Sequence, residues 1–152
     1  MSRRLMGLAA VMLLTQSMWI TGCARMEAHS RDQAFREDVD EYGRMLRWGF
    51  YDAAAAFLRR PPADGPEHPA GTDPGPAEVD TAALKPVRVT NYEIVSQRFS
   101  PSDPNRATVR AHVEYYREDS PTVREITDEQ HWWYDEDAGR WYLDGTLPDF
   151  SR

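Results

Sequence analysis

The stretch that decides the fold is VRAHVEYY, which runs from Val109 to Tyr116. Its apolar and aromatic positions are Val109, Ala111, Val113 and Tyr115, and these alternate with Arg110, His112, Glu114 and Tyr116. Successive side chains of a β-strand point to opposite faces, so this alternation predicts a half-buried antiparallel strand.

Three further segments, 84–99, 123–134 and 140–143, are also rich in β-branched and aromatic residues. Between the segments lie short stretches of Ser, Pro, Asp, Asn and Gly, which favour turns. The pattern therefore predicts a meander of four antiparallel strands.

The first of these segments carries a change of phase. Val87 and Val89 would lie on one face of a regular strand, whereas Tyr92 and Ile94 would lie on the opposite face. A β-bulge near Thr90-Asn91 would return the four side chains to a common face and would also curve the sheet.

The residues before the strands predict two helices. An apolar stripe follows Ser30 or Asp32, either of which can cap a helix, and Gly49 fits the helix end. The stripe consists of Phe35, Val39, Tyr42 and Leu46. A second short helix is expected over Asp52–Leu58, where an Ala run has high helix propensity. Residues 61–80 contain six Pro and three Gly, which predicts a long surface loop.

Helices followed by strands indicate an α+β fold, with an N-terminal helix pair packed on a curved four-stranded antiparallel sheet. This order resembles the nuclear transport factor 2-like superfamily, on the residues Tyr42–Gly49, Val87–Tyr92, Gln130–Tyr134 and Trp141–Leu143. The resemblance covers about residues 32–150. It implies a sheet that wraps the helices and leaves a cone-shaped pocket.

The N-terminus reads as a secretion signal. Arg3 and Arg4 precede the ten-residue apolar run Leu5–Leu14, which is too short to span a bilayer. The segment ends in Ile20-Thr21-Gly22-Cys23, which resembles the lipobox of bacterial lipoproteins, and Cys23 is the only cysteine. The resemblance implies cleavage between Gly22 and Cys23 and acylation of the Cys23 thiol.

The predicted organisation is therefore a signal peptide at 1–22, a lipidated cysteine and tether at 23–31, and an α+β domain at 32–152. Acyl chains on Cys23 would anchor the protein almost irreversibly in a membrane, because each buried CH₂ contributes about 0.8 kcal/mol. Ala24 follows the cysteine where Asp would favour the inner membrane, so the resemblance implies the outer membrane of the bacterial cell envelope, facing the periplasm.

The composition excludes several classes of protein. The chain has 152 residues and a net charge of −7, and removing the signal would take away Arg3 and Arg4 but no acidic residue. An acidic surface disfavours a nucleic-acid partner. One cysteine excludes an internal disulfide, and the scattered histidines suggest neither a metal site nor a cofactor.

The hairpin 130–143 concentrates large aromatic residues. Alternation places Trp132 and Tyr134 on one face and Trp133 on the other, with Trp141 on the partner strand. Either both faces of the sheet are covered, or some rings are exposed for a partner. The residues predicted to line a pocket or partner surface are Tyr42, His112, Tyr116, Trp132, Trp133, Tyr134 and Trp141.

Three functions remain open at this point. The preferred one is a non-catalytic envelope lipoprotein whose cone binds a protein partner or a small apolar ligand. The second is a pocket enzyme of the isomerase or hydrolase type, which needs an Asp or His base beside a Tyr. Its candidate residues are Asp40, Tyr42, His112, Tyr116, Asp128 and His131. The third is a structural envelope spacer, for which a homodimer through the outer sheet face would be evidence.

Overall fold

The computed structural model describes residues 20–62 and 79–151, with side chains from residue 26 onward. One long helix, α1 (Ile20–Trp48), is followed by a single helical turn, α2 (Tyr51–Ala55), and by a 3₁₀ turn at Thr81–Leu84. Four strands complete the fold: β1 (Val87–Phe99), β2 (Arg106–Arg117), β3 (Ser120–Asp135) and β4 (Arg140–Asp144). The strands form one antiparallel sheet in the order β1-β2-β3-β4, so the predicted α+β class and meander are confirmed.

Helix α1 buries the predicted apolar stripe against the sheet. Phe35, Val39, Tyr42 and Leu46 are all essentially inaccessible to solvent. The helix ends at Trp48, and Gly49 adopts a φ of 70°, which an L side chain rarely tolerates. The position and mechanism of this helix end agree with the sequence prediction.

Two helix boundaries differ from the prediction. Helix α1 is described from Ile20 onward and continues through Ser30 and Asp32, so the predicted tether, residues 23–31, is helical. This stretch contains no Pro or Gly and is rich in good helix formers, so nothing in it ends a helix.

The predicted second helix, Asp52–Leu58, is reduced to the turn Tyr51–Ala55, so the sheet carries one long helix rather than a helix pair. The main chain beyond Ala55 turns away because it pairs with β4. The amide of Leu143 donates to the carbonyl of Phe57 at 2.8 Å, and the amide of Arg59 donates to the carbonyl of Leu143 at 3.0 Å.

The predicted bulge in β1 is present. The pairing of β1 with β2 skips a residue between Val89 and Asn91, and a second shift lies between Ile94 and Ser96. The first shift lets Val87, Val89, Tyr92 and Ile94 all contribute to the core or pack against it. Most of the predicted 61–80 loop and the predicted signal peptide lie outside the described residues. Among the helices that are described, none has the length and apolar character needed to cross a membrane.

Candidate functional site

A groove of about 630 Å³ lies beside β3 and is here named the β3 groove. Its floor is the segment 125–131 of β3, and its opposite wall is the C-terminal segment 143–149. Both apolar and polar side chains line it. They include Ile126, Asp128, Gln130, Leu143, Asp144, Leu147 and Asp149.

The groove exists because β3 is much longer than its outer neighbour. Strand β3 has 16 residues and β4 has five, and β4 pairs only with the segment 131–135 of β3. Along 125–130, β3 pairs with β2 on one side, and its other side faces the groove. After Asp144 the chain does not form another strand with β3, although Leu147 and Phe150 return to the core.

At β4, the outer edge of the sheet is covered by main-chain and side-chain hydrogen-bond acceptors from other parts of the chain. The amide of Trp141 in β4 donates to a carboxylate oxygen of Asp38 at 2.8 Å, and Arg140 also contacts this carboxylate at 3.3 Å. Burial raises the pKa of Asp38, and the hydrogen bond from the Trp141 amide opposes that shift. The next outward amide, that of Leu143, is bonded to Phe57.

A chain of polar side chains leads from the β3 groove into the core. The side-chain amide of Gln130 donates to Asp128 at 2.6 Å and to the hydroxyl of Tyr92 at 2.8 Å. Its oxygen accepts the indole N–H of Trp132 at 3.0 Å. Gln130 is 2 % exposed, so this network satisfies a polar side chain that would otherwise be costly to bury.

The ionisable members of this network resist charging. Burial raises the pKa of Asp128, and the hydrogen bond from Gln130 partly offsets the rise. Burial likewise raises the pKa of the Tyr92 and Tyr42 hydroxyls, and the carboxylate of Asp128 adds to both shifts. The hydroxyl of Tyr42 is buried with no hydrogen-bond partner among the described atoms. Asp128 is therefore the acidic group of this network that also lines the groove.

The large rings of the hairpin 130–143 are buried on both faces of the sheet. Of the two alternatives that the sequence left open, covered faces rather than exposed rings is therefore the one observed. Trp132 and Trp141 face α1 and are at most 1 % exposed, and Tyr134 packs against Trp141 with ring centroids 5.4 Å apart. Trp133 and Tyr142 are buried on the opposite face.

Arg59 provides much of the cover on that second face. Its guanidinium lies 4.4 Å from the ring centre of Tyr142, and its carbonyl accepts the indole N–H of Trp133 at 2.7 Å. A cation over an aromatic face is an attractive contact, so the segment after α2 holds these two rings as well as the edge of β4.

The outer face of the sheet places His112 between Glu114 and Glu125. The imidazole Nε2 lies 3.9 Å from a carboxylate oxygen of each, and the three ligand atoms fall within 4.8 Å of one another. One His and two carboxylates could hold a divalent cation. This grouping could not be predicted from the sequence, because Glu125 joins it only through the register of β2 with β3.

The predicted site residues do not form one site. Tyr42, Trp132 and Trp141 are core residues, whereas Tyr116 and His112 are partly exposed on β2. Gly22 and Cys23 lie in α1, and their side chains lie outside the described set. The groove itself was missed in sequence, although Asp128 was among the residues considered for catalysis.

A close contact fixes the position of Tyr92. A Cβ atom at Gly43 would lie 2.5 Å from the ring of Tyr92, so only glycine allows α1 to approach β1 this closely. The hydroxyl end of the same ring reaches Gln130.

No family model, curated protein sequence or solved structure matches this chain. Its function is therefore inferred from its own sequence and geometry.

Proposed function

We propose that this protein is a lipoprotein of the bacterial cell envelope, anchored through acylated Cys23, whose α+β domain binds a partner or small ligand and catalyses no reaction. Its sequence support is the lipobox-like Ile20–Cys23 after a short apolar run, with the sole cysteine of the chain at the required position. The observation that carries the binding role is the β3 groove, which is open to solvent beside a core of buried aromatic and aliphatic side chains.

The domain itself we propose to be a member of the nuclear transport factor 2-like superfamily. Two register shifts in β1 supply the curvature that such a cone needs. The long helix packed on a four-stranded meander is consistent with this architecture. The space between helix and sheet is occupied by rings of Phe35, Tyr42, Trp132 and Trp141, so a ligand would bind at the groove beside β3 rather than under the helix.

The enzymatic alternative rests on Asp128. This carboxyl lies at the groove, is held by Gln130 and has a raised pKa, as a general acid or base requires. The phenols of Tyr92 and Tyr42, however, do not face the groove as free donors. The hydroxyl of Tyr92 is hydrogen-bonded to Gln130, and that of Tyr42 is fully buried. Catalysis would also need a hydrogen-bond donor that faces Asp128 across the open groove. Neither phenol provides one, so binding is the better supported role.

Acylation of Cys23 can be tested directly. In a bacterial host, the full chain should fractionate with membranes, and mass spectrometry should find acyl groups on an N-terminal Cys23 peptide. A Cys23→Ser variant should lose both properties.

A matched control moves the thiol without restoring the motif. Adding Ser30→Cys to the Cys23→Ser variant returns one cysteine to the chain, seven residues beyond the lipobox-like sequence. It should remain unacylated. Acylation of this control, or a native protein with an intact leader and a free Cys23 thiol, would refute the anchoring proposal.

A further inference from the structure

The β3 groove lies along a part of β3 that, among the described strands, has a neighbour on one side only. Residues 124–130 of β3 pair with β2, whereas β4 reaches only the segment 131–135. Every strand presents N–H and C=O groups along both edges, and an edge without a neighbour is a template for another strand. The groove beside 125–131 shows that there is room for a chain to lie there.

The charge of the groove restricts what can occupy it. Its lining contains five carboxylates and no Lys or Arg: Glu125, Asp128, Glu129, Asp144 and Asp149. Glu129 also contacts Arg110 of β2 at 3.5 Å, so a nearby positive group compensates part of this charge, and Glu125 lies 3.9 Å from the imidazole of His112. The excess of negative charge in the lining nevertheless favours a positively charged occupant.

A second copy of this chain fits poorly. Pairing two β3 edges would bring the carboxylates of one copy against those of the other, and like charges across strands destabilise pairing. The net charge of −7 on the whole chain adds a general repulsion between copies. The occupant should therefore be a different, basic chain.

The two sides of the strand differ in chemistry. Glu125 and Glu129 lie on the outer face of the sheet, whereas Ile126 packs toward the core and lines the groove with Leu143 and Leu147. Side chains of an added strand would alternate in the same way. Basic residues would meet the two glutamates, and apolar residues would meet Ile126 and the two leucines.

We propose that the β3 groove binds an extended, basic segment of another envelope protein, which adds to the sheet as a fifth strand beside residues 125–130. Main-chain hydrogen bonds would supply affinity, and the alternation of basic and apolar side chains would supply specificity. This inference rests on the proposed function, because it names the occupant of the same groove.

The test uses the full chain in detergent and a fluorescent octapeptide that alternates Lys and Val. Binding is followed by fluorescence anisotropy, and hydrogen–deuterium exchange is followed along β3. The Lys-Val peptide should bind and should slow exchange within 125–130. A peptide in which Glu replaces Lys should not bind.

A second peptide separates strand addition from simple charge attraction. N-methylation of alternate amides, on the edge that would face β3, keeps every charge but removes main-chain donors. Its affinity should fall by about tenfold or more, the equivalent of about 1.4 kcal/mol. Equal binding of the methylated and unmethylated peptides would overturn the fifth-strand proposal.

Variants of the protein test the location. Glu125→Lys combined with Glu129→Lys should weaken binding of the Lys-Val peptide by about tenfold or more. Glu37→Lys combined with Glu93→Lys is the matched control, because it makes the same double charge change at two exposed positions outside the lining of the groove. Equal losses from the groove variant and the control would overturn the assignment to the β3 groove.

The two proposals fail separately. If the Lys-Val peptide does not bind while Cys23 is acylated, the basic-strand inference is wrong and the anchoring proposal stands. If the peptide binds with the expected pattern while Cys23 carries no lipid, the groove assignment stands and the anchoring proposal is wrong. Self-association of the chain through residues 125–130 would also refute the inference, since it would make a second copy the occupant.

Discussion

The edge of the sheet formed by β4 and by the part of β3 that β4 does not reach differs along its length. At β4, the outward amides of Trp141 and Leu143 are bonded to Asp38 and Phe57, and the neighbouring rings are buried on both faces. Along 125–130 of β3, the same side faces a groove with an acidic lining. The contrast indicates that the β4 end, here named the closed end, stabilises the fold. Residues 121–130 of β3, which β4 does not reach, are here named the open end.

The closed end concentrates interactions that favour folding. Phe35 of α1 lies with ring centroids 4.9 Å from Trp141 and 6.4 Å from Trp132, and Tyr42 lies 5.6 Å from Trp132. Such aromatic pairs contribute about 0.5–1.5 kcal/mol beyond the burial of their area. At the open end, Val123 is 56 % exposed and the neighbouring side chains are mostly polar.

The largest expected effect comes from opening the core at the closed end. Trp132→Ala should lower the free energy of unfolding by about 3–5 kcal/mol, because it leaves a large cavity among packed rings. It also removes the indole donor to Gln130. Urea unfolding followed by circular dichroism measures the loss.

The matched change at the open end is Val123→Ala on the same strand. This valine is largely exposed, so the substitution should change stability by less than about 0.5 kcal/mol. Similar losses in the two variants would show that stability is spread evenly along β3, contrary to the comparison.

A smaller loss is expected when the cover of the β4 edge is removed. Asp38→Ala should cost about 1–3 kcal/mol, because the buried amide of Trp141 then has no acceptor. Asp38→Asn keeps an oxygen for this amide and should retain most of the stability, although it gives up the ion pair with Arg140. If Asn and Ala cost the same in urea unfolding, the ion pair rather than the edge amide is what Asp38 provides.

Local patterns predicted much of the fold, since they depend on neighbours in sequence. The stripe from Phe35 to Leu46 and the phase change near Thr90 gave the buried face of α1 and the first bulge of β1. The β3 groove could not be predicted in this way, because it results from the unequal lengths of β3 and β4 and from the path after Asp144.

The role of Asp38 was missed for the same reason. In sequence it is one of several acidic residues around the apolar stripe of α1, and nothing local distinguishes it from Glu37 or Asp40. Its partner, the amide of Trp141, lies more than one hundred positions away along the chain. The shortening of the second helix likewise depends on a distant strand, β4, which pairs with Phe57 and Arg59.

The smallest expected effect concerns the buried carboxylate of Asp128 at the open end. Burial raises the pKa of Asp128 in the folded protein above its ordinary value of 3.8. Between these two pKa values the folded state binds more protons than the unfolded state, so this group makes stability fall as pH rises through that window. Asp128→Asn removes the buried charge but keeps an acceptor for Gln130. The variant should therefore be slightly more stable than the parent at neutral pH, and this advantage should disappear as pH falls below the ordinary value.

Urea unfolding of the parent and Asp128→Asn over a pH series measures this difference, and Glu93→Gln is the control. The control removes an exposed carboxylate of β1 and should shift stability by less than about 0.5 kcal/mol across the series. A loss of stability in Asp128→Asn at neutral pH would mean that the ionised carboxylate strengthens the Gln130 network by more than its burial costs. A gain would mean that the β3 groove retains the carboxylate of Asp128 at the expense of stability.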